Sequence, residues 1–249
     1  TQKLPLIWGR NIKSIFIGGG TPSLFSPEAY SDLFSKIRNL LPFTSGDNGI
    51  EITLEANPGT IEHGSFIGYK QAGINRISLG VQSFNDAYLK KLGRIHSAQT
   101  ADDAIENVRA AGFNNFNIDI MYGLPGQSVS EAMNDLTKAI SFGSTHLSWY
   151  QLTIEPNTVF YRKKPKLPVE SKIIEMEQLG RELLSENNFK HYEVSAYSKD
   201  NRFCEHNVNY WKFGDYLGIG AGAHSKLTTA AQGDANFESK YIIERFNQY

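Results

Sequence analysis

Short runs of apolar and β-branched residues alternate along the chain with longer segments in which apolar residues recur every three or four positions. The short runs predict strands and the longer segments predict helices, because side chains alternate across a strand but repeat about every 3.6 residues around a helix. This alternation is typical of βα units around a parallel sheet. The predicted strands are residues 12–18, 50–56, 76–82, 117–122, 147–154 and 192–197. The predicted helices lie near residues 27–41, 61–72, 86–92, 101–111, 130–142 and 171–188.

Residue types at several helix boundaries support these predictions. Ser26 precedes Pro27, which is a favourable start because a capping serine is followed by proline at the first helical position. Gly73, Gly112 and Gly143 stand where three predicted helices should end.

Polar residues at the ends of the predicted strands bear on the fold class. Five or six βα units in 249 residues favour a barrel or partial barrel over a doubly wound sheet, although periodicity alone leaves both open. Glu55, Gln82, Asp119 and Thr153 each fall at the carboxyl end of a different strand. A (β/α) barrel gathers its active site at those ends, so we expect an α/β fold with a partial TIM-like barrel.

The C-terminal part of the chain has a different composition. Residues 198–249 are richer in aromatic residues and glycine, and we expect a closing strand followed by an extension beyond the barrel. The spacing of Tyr241, Ile242, Ile243 and Phe246 predicts that the end of the chain starts a helix. We therefore divide the chain into a partial barrel at residues 1–197 and a C-terminal region at residues 198–249.

Charge and hydropathy restrict the partners and the compartment. Lys and Arg total 25 against 26 Asp and Glu, so the net charge of -1 gives no overall field for nucleic acid or an anionic membrane. We find no apolar run of roughly 18 residues and no secretory signal pattern, and we expect a cytoplasmic protein. Because the chain begins with Thr1 and strand-like sequence follows closely, we expect a piece of a longer polypeptide.

The chain contains one cysteine, Cys204. It excludes an internal disulfide framework and any site that needs two or more thiolates from this chain. A single thiol beside one histidine is neither a haem-attachment signature nor a zinc set, so we expect Cys204 to be an unremarkable thiol.

Three consecutive glycines in IFIGGGTPS form the first candidate site. Gly18, Gly19 and Gly20 carry no Cβ, so a small ligand can approach the backbone closely, and Thr21 adds a hydroxyl. A tight structural turn explains the glycines equally well. The segment is not a P-loop, because no Gly-Lys-Ser/Thr follows.

A second candidate site combines Glu55, Gln82, Arg94 and Asp119. A carboxylate inside an apolar run needs a partner, because burying it alone costs several kcal/mol. Internal salt bridges, from Glu55 to Arg76 or from Asp119 to Arg94, are one explanation. The other is a ligand with an ammonium, vicinal hydroxyls and a carboxylate, as in an aminoacyl nucleoside.

Five motifs, GGGTPS, LEANP, RISLGVQSF, GRIHS and NIDIMYGLPGQ, occur here in the order seen in radical S-adenosylmethionine proteins. The chain resembles that family from about residue 12 to residue 225. Within the family it is most similar to the group of oxygen-independent coproporphyrinogen III oxidases and HemW haem chaperones.

The resemblance implies a set of S-adenosylmethionine contacts. The glycine-loop backbone would hold the methionyl ammonium with help from Glu55, Arg94 would hold the carboxylate, and Asp119 with Gln82 would bind the ribose hydroxyls. Thr153 would lie at a backbone-contact position. The implied contact residues are Gly19, Gly20, Thr21, Glu55, Gln82, Arg94, Asp119 and Thr153.

The chain departs from the family at its metal centre. The resemblance implies a CxxxCxxC loop that holds a [4Fe-4S] cluster, and these 249 residues contain no such loop. We expect its cysteines upstream of Thr1, in a first βα unit whose absence would leave an unfilled barrel edge.

A third motif, HNxxYW at His206, Tyr210 and Trp211, is similar to one associated with haem in HemW-type proteins. His206 would be the iron ligand, and the two aromatic rings would face the porphyrin. The alternative is a structural histidine beside core aromatics. The favoured function is therefore haem binding and delivery to haem-requiring respiratory proteins, and the alternative is coproporphyrinogen III decarboxylation. The implied partners are haem and haem-accepting proteins, and a homodimer is left open.

The remaining histidines carry weaker expectations. His224 follows a glycine-rich turn and is expected to face the site, and His96 lies near Arg94 in the sequence. Structural or surface positions are expected for His63, His146 and His191.

Overall fold

The computed structural model describes residues 4–44, 49–60, 63–230 and 239–245. The helices in these ranges are α1 Leu4–Ile7, α2 Pro27–Leu40, α3 His63–Ala72, α4 Asp86–Lys91, α5 Ala98–Ala110, α6 Val129–Ser141, α7 Val159–Lys163, α8 Glu170–Glu186 and α9 Glu205–Trp211. The strands are β1 Ser14–Ile17, β2 Glu51–Ala56, β3 Arg76–Gln82, β4 Phe116–Tyr122, β5 His146–Gln151, β6 Lys190–His191, β7 Ala196–Ser198, β8 His224–Ala230 and β9 Ser239–Arg245. The predicted helices correspond to α2 to α6 and α8, and the first five predicted strands correspond to β1 to β5.

Helix boundaries follow the predicted caps. The hydroxyl of Ser26 accepts a hydrogen bond from the backbone N–H of Ala29, and Pro27 opens α2. Gly73, Gly112 and Gly143 have φ angles of +108°, +80° and +68° just beyond helix ends. Glycine adopts this left-handed conformation without a Cβ clash, so these helices end where the sequence predicts.

In the described part of the chain, seven strands form one sheet in the order β1-β2-β3-β4-β5-β7-β6. β1 to β5 pair in parallel in chain order, whereas β7 pairs antiparallel to β5 and β6 antiparallel to β7. The prediction of one strand at residues 192–197 is wrong in its bounds, because the chain reverses there between β6 and β7. A short reversal joins antiparallel strands, whereas a parallel strand requires a long crossover.

The hydrophobic core lies on one face of this sheet. Alternate residues of β2 to β5 pack there, and they include Leu54, Leu79, Ile118 and Leu147. The helices cover this face with buried side chains that include Phe34 of α2, Phe66 of α3, Ile105 of α5, Leu136 of α6 and Leu184 of α8. Because side chains alternate across a strand, the remaining positions project from the opposite face, and most of them are polar.

β8 and β9 form a separate antiparallel sheet, with seven registered pairs from His224↔Arg245 to Ala230↔Ser239. Two predictions are therefore wrong. The strand expected to close the barrel pairs with β9 rather than with the larger sheet, and the expected C-terminal helix is a strand over residues 239–245. Phe246, which is part of that helix prediction, lies outside the described residues. Pairing with β8 gives the backbone groups of this segment hydrogen-bond partners. A short helix on its own is only marginally stable, so strand pairing prevails over the helical spacing of the apolar residues.

None of the helices in the described ranges is long and apolar enough to cross a membrane.

Candidate functional site

Hydrogen-bonded polar side chains surround Asp119 on the sheet face opposite the helices. Asp119 Oδ1 accepts a hydrogen bond from Asn117 Nδ2 at 2.7 Å, and Oδ2 accepts one from the Ser78 hydroxyl at 3.3 Å. Asn117 Nδ2 also lies 3.0 Å from Ser148 Oγ. Strand register pairs Ser78 with Asn117 and Asp119 with Ser148. Three neighbouring strands, not a local turn, therefore build the surroundings of this carboxyl group.

Opposing effects act on the Asp119 carboxyl group. Burial raises its pKa, whereas hydrogen bonds from Ser148, Asn117 and Ser78 and the charge of Arg76 lower it, and the net pKa lies above the ordinary value. Burial dominates because it removes water from the charged form. A ligand that donates further hydrogen bonds to this carboxylate would therefore be favoured.

The glycine turn after β1 lies beside Glu55. The backbone N–H of Gly19 donates to Glu55 Oε2 at 3.1 Å, and a Cβ on Gly18 would lie 2.8 Å from the same oxygen. Gly19 and Gly20 have φ angles of +79° and +63°, which glycine adopts without strain. Gly18 to Thr21 line an open depression of about 420 Å³. The turn thus serves a structural purpose and also leaves space for a ligand.

Glu55 and Asp119 influence each other. Burial raises the pKa of Glu55, the N–H of Gly19 lowers it and the charge of Asp119 raises it, with a net rise. Two carboxyl groups that repel each other in partly buried surroundings favour a cation between or beside them. An ammonium group close to the glycine turn would meet this requirement.

Gln82 ends β3 in an unusual backbone conformation. Its φ angle is +72°, and the pairing of β3 with β4 shifts register between Leu79 and Gln82. The buried side chain accepts a hydrogen bond from the Tyr150 hydroxyl, at 2.5 Å to Oε1. A left-handed conformation is uncommon for residues other than glycine, and such strain is concentrated at functional sites.

Sequence reasoning missed Tyr150, which lies on β5 two positions beyond Ser148. Burial raises its pKa, so the hydroxyl stays protonated and can act as a donor. Asn117, Ser78 and Ser148 were missed as well. The signal that could have found them is the two-residue period, since each shares a strand face with Gln82, Asp119 or Tyr150.

Arg94 and Thr153 are exposed and lie outside regular elements. Arg94 follows α4, and its charge lowers the pKa of Tyr150. Arg94 therefore lies towards Tyr150 and its hydrogen-bond partner Gln82. Thr153 lies two residues beyond β5. Within the described ranges, neither side chain has a hydrogen bond or an ion pair, so both are available to a ligand.

The salt bridges considered from the sequence are not formed. Among the described residues there is no ion pair between Glu55 and Arg76 or between Asp119 and Arg94. Arg76 is 2% exposed at the start of β3, and its guanidinium donates to Thr53 Oγ1 at 3.5 Å. The internal salt-bridge explanation for these carboxyl groups is therefore wrong.

Helix α9 carries His206, Tyr210 and Trp211. The His206 ring stacks on Phe16 of β1, with 4.5 Å between ring centroids, and meets the Tyr210 ring edge-on at 4.8 Å. Tyr210 and Trp211 are 44% and 56% exposed. They are therefore not core aromatics, and they offer flat apolar surface to a ligand.

The first turn of α9 is held by a carboxylate from β2. Glu51 Oε2 accepts the backbone N–H of Glu205 at 3.1 Å, and Oε1 accepts that of His206 at 3.3 Å. Burial lowers the pKa of His206, and Arg76 adds to this while Glu51 opposes it. The imidazole is therefore neutral at pH 7, and its nitrogens have no hydrogen-bond partner within the described part of the chain.

Cys204 immediately precedes α9 and is buried. Its thiol donates to Glu51 Oε1 at 3.4 Å, and burial raises its pKa to about 11. A thiol with this pKa is neither nucleophilic nor a ready metal ligand. These surroundings agree with the expectation of an unremarkable thiol.

The remaining histidines divide into buried and exposed groups. His146 is buried, with Nδ1 2.7 Å from Asn117 Oδ1 and Nε2 2.5 Å from the Tyr192 hydroxyl. His96 is buried with Nε2 3.1 Å from the carbonyl oxygen of Val81. The exposed His191 and His224 lie on β6 and β8, so His224 belongs to the separate two-stranded sheet. The side chain of His63 lies outside the described residues.

Comparison with known proteins identifies the family. The profile of the Radical SAM superfamily matches residues 4–139. The chain belongs to the radical SAM superfamily. The Haemophilus influenzae protein named heme chaperone HemW is 52% identical over 219 residues, which are 88% of this chain and 56% of that protein. The Escherichia coli protein of the same name is 51% identical over 88% of this chain and 57% of its own length.

The chain thus spans less than two thirds of these relatives. A solved radical SAM enzyme, coproporphyrinogen III oxidase (HemN) from Escherichia coli, matches with a TM-score of 0.76 and 23% identity, over 93% of this chain and 57% of that chain. This likeness shows a shared fold, and it confirms the predicted α/β radical SAM architecture.

The cofactors of radical SAM proteins fit this chain unequally. Within the described ranges there is no group of three or more His, Cys, Asp or Glu side chains placed to hold a metal ion. The chain's single thiol is buried and bonded to Glu51, so its residues do not fit a [4Fe-4S] cluster. The glycine turn does fit the approach of an S-adenosylmethionine ammonium, because the Glu55 carboxyl group packs against Gly18 and the space where a Cβ of Gly19 or Gly20 would stand is open.

Proposed function

We propose that this chain is the S-adenosylmethionine-binding and haem-binding part of a cytoplasmic, HemW-like protein that delivers haem to haem-requiring respiratory proteins. The observation that carries the proposal is the pair of Glu55 and Asp119, two carboxyl groups with raised pKa values on the same sheet face, of which Glu55 feels the charge of Asp119 and accepts the backbone N–H of the glycine turn. The names of the relatives at 52% and 51% identity support the haem chaperone.

We call the polar side chains on this sheet face that include Glu55, Gln82 and Asp119 the polar cluster. In this proposal the polar cluster binds S-adenosylmethionine. The glycine-turn backbone and Glu55 hold the methionyl ammonium, and the exposed guanidinium of Arg94 holds the carboxylate. Asp119 accepts hydrogen bonds from the ribose hydroxyls, and the Gln82 amide donates to them through its NH₂ group. Thr21 and Thr153 provide contacts at the two edges of the cluster.

The haem site is assigned to α9. Iron binds the neutral form of imidazole, and burial keeps His206 in that form. Tyr210, one turn from His206 on α9 and in contact with its ring, would face the porphyrin, and the exposed Trp211 ring would offer further apolar surface at its edge. The [4Fe-4S] cluster of the longer protein is given no ligand from this chain.

The test uses the full-length protein with a reconstituted cluster, prepared without oxygen. Haem titration followed by absorption should show binding that His206→Ala weakens by about tenfold or more, which is about 1.4 kcal/mol or more. His191→Ala is the matched control, because His191 is an exposed histidine bonded to the carbonyl oxygen of Val194. The control should bind haem as the wild type does.

Coproporphyrinogen III decarboxylation is assayed on the same preparation. Decarboxylation without stable haem binding would overturn the chaperone proposal in favour of the oxidase. Haem binding that His206→Ala leaves unchanged would overturn only the assignment of His206.

A further inference from the structure

A continuous chain of hydrogen bonds runs from the Asp119 carboxyl group to the start of α9. Asn117 Nδ2 lies 2.7 Å from Asp119 Oδ1, and Asn117 Oδ1 lies 2.7 Å from His146 Nδ1. His146 Nε2 lies 2.5 Å from the Tyr192 hydroxyl, and the backbone N–H of Cys204 donates to that hydroxyl oxygen at 3.2 Å. We call the side chains of Asn117, His146 and Tyr192 the relay.

With an ionised Asp119 at one end and the backbone N–H of Cys204 at the other, every bond in the relay takes one direction. An ionised Asp119 accepts only, so the amide group of Asn117 turns its NH₂ to the carboxylate and its oxygen to His146. His146 Nδ1 must then carry the proton and Nε2 must accept, which makes the Tyr192 hydroxyl the donor. The Tyr192 oxygen still accepts from Cys204. All donors therefore point towards Asp119.

Water does not compete with the central bonds, because Asn117 and His146 are 2% and 1% exposed. Burial also lowers the pKa of His146 well below its ordinary value, so the ring remains neutral with one donor and one acceptor. Hydrogen bonds that lie in series at low dielectric polarise one another, so a change at one end alters the strength of the others.

The two ends of the relay belong to the two proposed sites. Asp119 lies in the cluster assigned to S-adenosylmethionine. Cys204 is the residue before α9, and its own side chain makes no capping hydrogen bond to the helix. The first turn is positioned instead by Tyr192, through the N–H of Cys204, and by Glu51, through the N–H groups of Glu205 and His206.

We propose that His146 and Tyr192 are positioning residues that link ligand binding at Asp119 to the position of α9. This inference rests on the proposed function for the identity of the ligands, a nucleoside with vicinal hydroxyls at Asp119 and a metalloporphyrin at α9. Hydroxyl donors on Asp119 withdraw charge from its bond to Asn117, and the change passes along the relay. By linkage, each ligand then alters the affinity of the other by the same factor.

The first test substitutes Tyr192 by Phe in the full-length protein. Tyr192→Phe removes the central donor, so hydrogen exchange at the amides of residues 204–206 should accelerate at least about tenfold. The dissociation constant of S-adenosylmethionine, measured by calorimetry, should rise at least about threefold. Tyr197→Phe is the matched control, because Tyr197 is buried on the neighbouring strand and its hydroxyl has no part in the relay. The control should change neither quantity.

The measurement of S-adenosylmethionine affinity shows whether Tyr192 links the two sites or only supports α9 locally. A faster exchange in α9 with an unchanged S-adenosylmethionine affinity would make Tyr192 a local anchor and would overturn the proposal. In the wild type, saturating S-adenosylmethionine should change the exchange of residues 204–206, and Tyr192→Phe should abolish that change.

If S-adenosylmethionine does not bind, the proposed function is refuted, but the relay can still be tested. That test uses measurements made without a ligand. The nitrogen and carbon chemical shifts of the His146 ring should report the Nδ1–H tautomer. Asp119→Asn should alter exchange in α9 at least about threefold, whereas Asp135→Asn, a buried carboxylate bonded to Ser83, should not. The opposite tautomer, or an unchanged α9 in Asp119→Asn, would overturn the relay.

Discussion

Asp119 occupies surroundings in which burial and hydrogen bonding act on one carboxyl group in opposite directions. Its pKa is raised in the folded protein, so the folded state binds a proton more tightly than the unfolded chain does. Its contribution to stability is therefore present at low pH and is lost as the pH rises through the raised pKa.

Asp119→Asn should remove this pH dependence. The free energy of unfolding of the variant, relative to the wild type, should increase as the pH rises through the raised pKa of Asp119, by about 1.4 kcal/mol for each unit by which folding raises that pKa. Thermal unfolding at several pH values measures it. Asp103→Asn, at an exposed position on α5, should run parallel to the wild type, and a parallel curve for Asp119→Asn would contradict the raised pKa.

The absence of a side chain at Gly18 fixes the position of Glu55. Gly18→Ala would place a Cβ 2.8 Å from Glu55 Oε2, so the carboxylate must move away from the glycine turn. S-adenosylmethionine should then bind about tenfold more weakly in calorimetry. In a Glu55→Ala background the same substitution should cost much less, because only the contact of the added Cβ with the Phe16 ring, at 2.9 Å, remains. Additive losses would show that Gly18 acts independently of Glu55.

Single residues differ in how far the sequence predicts them. Glu55 and Asp119 are predictable, because a carboxylate inside an apolar strand requires a partner. Asn117 and Tyr150 are not, because an amide or a hydroxyl in a strand has no distinguishing pattern until the register is known. The salt-bridge alternative was wrong because register places Thr53, not a carboxylate, opposite Arg76.

At the scale of elements, the loop between β3 and α4 is fastened to α6. Asp135 of α6 accepts the Ser83 hydroxyl at 2.5 Å and the Phe84 N–H at 2.8 Å. These residues directly follow Gln82, whose left-handed backbone is held against strain by its surroundings.

Asp135→Ala should release this loop. The buried donors of Ser83 and Phe84 lose their acceptor, which lowers the free energy of unfolding by about 1–3 kcal/mol in chemical denaturation. S-adenosylmethionine affinity should fall as well, because Gln82 loses its support. Asn134→Ala, at the exposed neighbouring position of α6, provides the control. A stability loss equal to that of the control would contradict the role of Asp135.

Longer periodic elements were predicted with bounds within a few residues, whereas short elements were not. Helix α9 has seven residues and no side-chain cap, and Glu51 of a distant strand completes its first turn. The prediction of a helix at β9 is wrong because the spacing of residues within β9 does not reveal that the segment pairs with β8. Tertiary contacts define both elements.

At the scale of the whole molecule, one sheet has two different faces. Helices and apolar side chains cover one face, and the other carries the polar cluster, the relay and the side chains next to α9. The alternation of apolar and polar residues along the strands is sufficient to predict these two faces. The parallel order of β1 to β5 then brings the strand ends together, which is why the sequence predicts a candidate site at this edge without predicting its contacts.

The backbone of Gln82 has a consequence for the evolution of this position. Glycine would relieve the left-handed conformation, but it would leave the Tyr150 hydroxyl without this acceptor, so two demands on position 82 conflict. A variant library should therefore accept glycine at position 82 mainly together with a change at Tyr150 that removes the hydroxyl.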